Sequence, residues 1–359
     1  MIITIAACIV ALFFAMNIGA SGAAASISIA YGSGAITKRR NALILCAIAI
    51  FAGAAIGGSE VVKTIGEGIV PQSLLSSKIV LIILASATSS LFIANLIGIP
   101  LSTSEITVGS VVGVGVALQA LYINKILIIV SFWIIIPVVA FGIAYLLGKL
   151  IHRIEAKHPT FAKGKYKKII LLFVVIVGFL EAFSAGMNNV ANAVGPLVGA
   201  EIVSVQSGIL IGGFFIAIGA LFLGSRVLET NAKNITRISP LEGGAISSTG
   251  AFLVILASIF GLPVPLTQVT SSAIIGIGTA QNGMNIWKKQ IISKIIKVWV
   301  VSPIFSMVIS YGLVKLFIDS DFYTVVILVG VCAATLGTLS LIKTIRADNR
   351  AYQEHGGGI

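Results

Sequence analysis

The chain has 359 residues; AVILMFWYC make up 57% of it and 38 more are glycine. Only 10% are charged and the mean hydropathy is +1.09, against about 45–50% apolar and about 25% charged in a soluble domain. These figures exclude a water-soluble globule and intrinsic disorder, and the net charge of +12 is read as membrane topology, with no nucleic-acid partner.

The segments are apolar all round rather than alternating, so they predict helices in a lipid bilayer, not barrel strands. A span needs about 20 apolar residues. Eleven spans are predicted, at 2–31, 41–58, 78–98, 104–121, 124–150, 169–199, 206–224, 245–261, 266–281, 291–315 and 322–342. The first fourteen residues lack the basic region of a secretory signal, so the N-terminus is read as a retained first span. Segments 104–121 and 266–281 suit half-helices. The first and sixth spans exceed one helix and contain small-residue breaks.

Charge gives the direction. With the N-terminus outside, every one of the 24 basic residues except Lys63, Lys78, Lys125 and Lys315 falls on the cytoplasmic side. The C-terminus is then cytoplasmic, in a multi-pass protein of the cell membrane. Segment 151–168 is the longest polar stretch and divides two halves; its His152 and His158 read as solvated loop residues. Cys8, Cys46 and Cys332 lie far apart in apolar runs and read as buried small hydrophobes. No metal cluster is expected.

The halves repeat each other. Asn17–Ser26 matches Ser184–Pro196 at an offset that pairs Gly19 with Gly186 and Ser21 with Asn188. Gly98–Gly115 matches Gly261–Gly278 at an offset of 163. Each half holds five spans, an odd number, so the halves must insert in opposite directions. An inverted repeat is a mark of secondary transporters. The predicted organisation is a first repeat over 1–150, the basic loop 151–168, a second repeat over 169–315, and a last span with tail over 316–359. A P-loop, a cofactor motif and a nucleophile–His pair are all missing from the sequence, which argues against an enzyme.

In such a fold the site lies where discontinuous helices meet. Two places are small-residue breaks, at Asn17–Ser26 and Gly186–Pro196. Two are Pro-led helix starts, at Pro100 and Pro263, since proline favours a first turn. Free N–H groups at a helix start bind anions. The candidate substrate-binding residues are Asn17, Ser21, Gly22, Ser102, Thr103, Ser104, Asn188, Asn189, Asn192, Thr267 and Gln268. Three clustered amides need partners, which favours function at Asn188–Asn192. Ser26 and Ser28 read as packing residues. Glu105 and Glu181 are the two acids within apolar segments and hence the proton-coupling candidates.

These residues resemble the inorganic phosphate transporter (PiT) family, with its two G-A-N-D-V-A-N-A and two P-x-S-T-T-H motifs. Gly186-Met187-Asn188-Asn189-Val190-Ala191-Asn192-Ala193 matches the first kind closely. Pro100-Leu101-Ser102-Thr103-Ser104-Glu105 matches the second, with Glu in place of His. Pro263-Val264-Pro265-Leu266-Thr267-Gln268 is more degraded. The resemblance covers nearly the whole chain, and is greatest to the family's sulfate-permease (CysP-type) branch.

The departures bear on substrate. Where the family carries Asp, this chain has Gly22 and Asn189; Ser21 and Ala25 stand where Asn is expected. The resemblance implies that those Asp residues handle sodium and phosphate. Hydrogen phosphate has an O–H to donate to a carboxylate, whereas sulfate has only acceptor oxygens and suits amides, hydroxyls and N–H groups. The expected function is secondary-active sulfate import by alternating access, coupled to protons, with no cofactor; sodium coupling stays open. The competing readings are a phosphate transporter driven by sodium or protons, and an anion channel. Family members resembling this chain suggest a homodimer.

Overall fold

The computed structural model describes residues 1–97, 101–158, 165–235, 238–283, 287, 290–331 and 334–335. Among the described residues there are helices and no strand. Residues 1–310 form one compact unit and residues 311–359 a second; in the second, Phe322–Val331 is an apolar helix. Pro100, Cys332 and most of the tail beyond it lie outside the described residues.

The first half opens with α1 (Ile2–Ile18), one π-helical turn (Gly19–Ala23), and the short helices α2 (Ala24–Ser26) and α3 (Ser28–Gly32). Then come α4 (Arg39–Gly57), α5 (Ser59–Glu67), α6 (Ser77–Ile97), α7 (Thr103–Ala117) and α8 (Ile123–Lys157). The second half runs α9 (Lys165–Gly199), α10 (Val205–Leu223), α11 (Ser225–Ile235), α12 (Pro240–Ile259), α13 (Leu266–Asn282) and α14 (Gln290–Phe317). The order of long, medium and short helices is the same twice.

Eight helices among the described residues are long and apolar enough to cross a bilayer. They lie in the first, second, third, fifth, sixth, seventh, eighth and tenth predicted spans. The fourth and ninth are α7 and α13, of 15 and 17 residues. At 1.5 Å per residue, α7 reaches about 22 Å, short of a hydrocarbon core of about 30 Å. The eleventh predicted span is partly outside the described residues. The polar segment 151–168 is largely helical, because α8 continues to Lys157 and α9 begins at Lys165; its residues 159–164 lie outside the described residues.

The first predicted break is present and the sixth-span break is not. After Ile18 the chain leaves the α-helix, and Ser21 Oγ donates to the Asn17 carbonyl at 2.8 Å while Ser26 Oγ donates to the Ala23 carbonyl at 2.6 Å. Such bonds compete with the backbone ladder. α9 instead runs unbroken through Asn188, Asn189 and Asn192. Those amides find partners on other helices, so the backbone has no need to open.

α9, largely buried from Glu181 onward, is the hub: α4, α5, α10 and α12 pack on it. Several crossings are so close that only glycine fits. An ideal Cβ on Gly186 of α9 would lie 2.0 Å from the Ile50 carbonyl oxygen of α4, and one on Gly53 would lie 1.9 Å from that of Phe183. α1 and α10 cross in the same way. A Cβ on Gly19 would lie 2.0 Å from the Ile216 oxygen, and one on Gly219 would lie 2.1 Å from the Met16 oxygen. Gly19 and Gly186 are the residues paired by the sequence repeat. The first helix of each half thus crosses the second helix of the other half, and the contact is exchanged. Exchanged contacts of this kind are what a two-fold relation produces.

Candidate functional site

α7 and α13 both begin inside the molecule. Ser102 precedes α7 in extended conformation, and Thr103, Ser104 and Glu105 form its first turn. Pro265 precedes α13, and Trp133 Nε1 donates to the Pro263 carbonyl at 2.8 Å, fixing the approach to that helix. The first N–H groups of any helix lack intrahelical acceptors and carry the positive end of its dipole.

Both starts line one cavity of about 370 Å³. Leu101, Ser102 and Thr103 come from the α7 start, Leu266 and Thr267 from the α13 start. Thr270 and Ser271 continue along α13; Gly22, Ala25, Ser26 and Ser28 come from the broken first span, Asn189 and Glu181 from α9, and Asn231 from α11. Gly22 and Asn189, which pair at the offset of Gly19 with Gly186, therefore face the same space. Among the described residues no Lys, Arg or His lines the cavity, and Glu181 is the one ionisable group in its lining.

Behind the wall a buried network holds the α7 start against α9. Thr103 Oγ1 donates to Asn189 Oδ1 at 3.1 Å, and Ser104 Oγ donates to Asn188 Oδ1 at 3.2 Å. Asn192 Nδ2 reaches Thr103 Oγ1, Ser104 Oγ and Asn189 Oδ1 at 3.2–3.3 Å. Asn188 uses its whole capacity. It also donates to Ser258 Oγ at 3.1 Å and the Leu262 carbonyl at 3.0 Å, and accepts from Val264 N at 3.2 Å.

The sequence candidates thus fall into four groups. Gly22, Ser102, Thr103, Asn189, Thr267 and Glu181 line the cavity; Ser104, Asn188 and Asn192 sit behind them as fully buried supports. Asn17 and Ser21 are not in the lining: Asn17 Nδ2 donates back to the Phe13 carbonyl at 3.1 Å, because α1 is still helical there. Gln268 and Glu105 form a separate buried pair, in which Gln268 Nε2 donates to Glu105 Oε1. Glu181 Oε1 accepts from Thr270 Oγ1 at 3.1 Å.

Sequence reasoning missed Thr270, Ser271 and Asn231 and gave Ser26 and Ser28 a packing role. A weak signal existed for Thr270, one turn beyond Thr267 on the same face of a helix that starts at Pro265. Asn231 gave none, since it sits on an amphipathic helix of only 11 residues.

A short helix pair with converging starts, neutral donors and a cavity between them is transporter architecture. Residues 18–310 match the phosphate transporter family, and the chain belongs to it. It is a multi-pass membrane transporter of the anion type, and its relatives and fold are those of transporters, not enzymes. The chain is 58% identical over 357 residues to the sulfate permease CysP of Bacillus subtilis, with 99% of each covered. It is 30% identical to a putative phosphate permease of Pyrococcus furiosus, covering 80% of this chain and 90% of that one. Its fold matches a solved structure described as the sodium-dependent phosphate transporter, with TM-score 0.77 and 26% identity over 89% of this chain and all of that one.

Proposed function

We propose that this chain is a secondary-active sulfate permease that imports sulfate by alternating access and couples it to protons. The observation that carries the reading is the cavity wall. Two helix starts, hydroxyls and the Asn189 amide supply donors, and no carboxylate stands at Gly22 or Asn189. Sulfate, which only accepts hydrogen bonds, suits such a wall. Phosphate permeases of the family resemble this chain less than the sulfate permease does.

The exchanged helix crossings support two repeats of opposite direction over 1–150 and 169–315. The distribution of basic residues supports an N-terminus outside the cell membrane and a C-terminus in the cytoplasm. The cavity lining reaches Ser28, Ile29 and Asn231, and Glu229, two residues before Asn231, pairs with Arg39, which supports reading this conformation as the inward-facing one. The two repeats rock about the bound anion, within a homodimer of the kind the resemblance implies. Glu105 and Glu181 are the acids available to carry the coupled proton, and sodium is not needed.

Titration calorimetry on the purified protein tests the substrate. Sulfate should bind with phosphate at least tenfold weaker at neutral pH. Phosphate binding as tightly as sulfate would overturn the reading in favour of phosphate transport.

A further inference from the structure

Glu105 and Gln268 pair at the same 163-residue offset as the Gly98–Gly115 and Gly261–Gly278 segments. They occupy equivalent places in the first turns of α7 and α13, and their side chains hydrogen-bond to each other. Equivalent residues that touch lie on the axis relating the two copies. One copy supplies an acid and the other an amide.

The bonding of this pair is half complete. Gln268 Nε2 donates to Glu105 Oε1. The other atom of each group, Glu105 Oε2 and Gln268 Oε1, is buried without a hydrogen bond of good geometry, and the one further hydroxyl near the carboxyl is that of Ser302. Glu105 is 0% exposed and Gln268 3%. Both of those atoms are acceptors if Glu105 is ionised, and a buried carboxylate oxygen without a donor is costly. A proton on Glu105 Oε2 changes the count: the O–H donates to Gln268 Oε1, and the two side chains close the double bond of a carboxylic acid–amide pair. No other donor to Gln268 Oε1 is present among the described residues.

The surroundings agree. α6 and α9 pack on α7, and α14 approaches it at Gly109 through Pro303 and Ser306. Among the described residues none of these helices, nor α13, turns a charged side chain toward Glu105; the polar groups that face it are Gln268 and Ser302. A lone carboxylate there would have no cation to pair with.

We infer that Glu105 and Gln268 form the proton-binding site of the transporter, an acid–amide pair that joins the starts of α7 and α13 by two hydrogen bonds while Glu105 carries a proton and by one when it does not. The inference deepens the proton-coupled reading above and rests on it. Loss of the proton places an unpaired charge between two helix starts that also line the anion cavity. The second bond is then lost and the pair loosens, and Thr103 and Thr267 move with their helices. Proton and anion thus act on the same two half-helices. Glu181 differs: it lines the cavity and lies on a continuous helix.

Infrared spectroscopy on the purified, substrate-free full chain at neutral pH reads this directly. The carbonyl band of a protonated carboxyl should be present, lost in Glu105→Gln, kept in Glu181→Gln, and shifted in Gln268→Leu. No such band in the wild type, or a band that survives Glu105→Gln, would overturn the inference. Should Glu105→Gln not fold, the same band unmoved by Gln268→Leu or abolished by Glu181→Gln would overturn it equally. In proteoliposomes, Glu105→Gln should lose at least tenfold of the stimulation of labelled sulfate uptake by an inward proton gradient. If wild type and variants alike carry no sulfate, the substrate reading fails and the infrared bands alone decide the proton site.

Discussion

Glu105 of α7 and Gln268 of α13 hold the same place in two copies of one motif, and they bond to each other across the point where the copies meet. The relationship says how the site is built. Each half contributes a short helix that begins at the centre, and the two beginnings are tied by side chains three residues in from Ser102 and Pro265. The anion cavity lies against these beginnings, so its shape depends on how the halves meet.

Asn189 lines the cavity and accepts from Thr103. Asn189→Asp keeps that acceptor and adds a negative charge. Two unit charges at about 4 Å repel by about 4 kcal/mol at an effective dielectric constant of 20. Sulfate affinity is expected to fall on the order of a hundredfold, about 2.8 kcal/mol, read by titration calorimetry. Unchanged affinity would remove Asn189 from the site.

Asn188 makes the opposite prediction. It is 0% exposed and bonds four groups on three segments. Asn188→Ala leaves the Val264 N–H and the Leu262 carbonyl without that partner. Each buried group left unsatisfied costs about 1–3 kcal/mol. The melting temperature in detergent should drop clearly, whereas Asn189→Asp should leave it nearly unchanged. Equal melting of the two variants would show that the division between lining and support is wrong.

Much of this arrangement was legible in the sequence, for a physical reason. Long apolar runs have one stable solution in lipid, so the full-length spans and the two short helices could be read directly. α5 and α11 could not, because helices of 9 and 11 residues with a polar face carry no span signal. The unbroken α9 was also hidden. Its asparagines looked like a helix break, yet Asn188 is satisfied by Ser258 and Leu262, some 70 residues away. Asn17 illustrates the reverse. It sits in the right motif, but a residue in a continuing helix bonds its own turn rather than the cavity.

Gly186 and Gly22 separate packing from chemistry. Gly186→Val would drive carbon into the α4 backbone. That loss is expected to exceed about 4 kcal/mol, the range of severe core disruption, and to abolish the monodisperse peak in size exclusion. Gly22 has nothing within 4 Å of an added Cβ, so Gly22→Ala should purify like the wild type. A well-folded Gly186→Val protein would contradict the observed crossing of α4 and α9.

Orientation is tested by labelling single cysteines in a cysteine-free background. Lys63→Cys should react with an impermeant maleimide in intact cells, since Lys63 is half exposed in a surface pair with Glu60. Lys38→Cys should react only after the membrane is permeabilised. The reverse pattern would invert the topology and make the observed cavity face outward.

The most direct test of the central claim is uptake of labelled sulfate into proteoliposomes of the purified full chain, with phosphate as competitor and with imposed proton or sodium gradients. Saturable uptake that accumulates sulfate, resists excess phosphate, rises with acid outside and ignores sodium is the predicted result. Sodium-driven accumulation of phosphate would contradict it, and would mean that the carboxylates absent at Gly22 and Asn189 do not set selectivity in this fold.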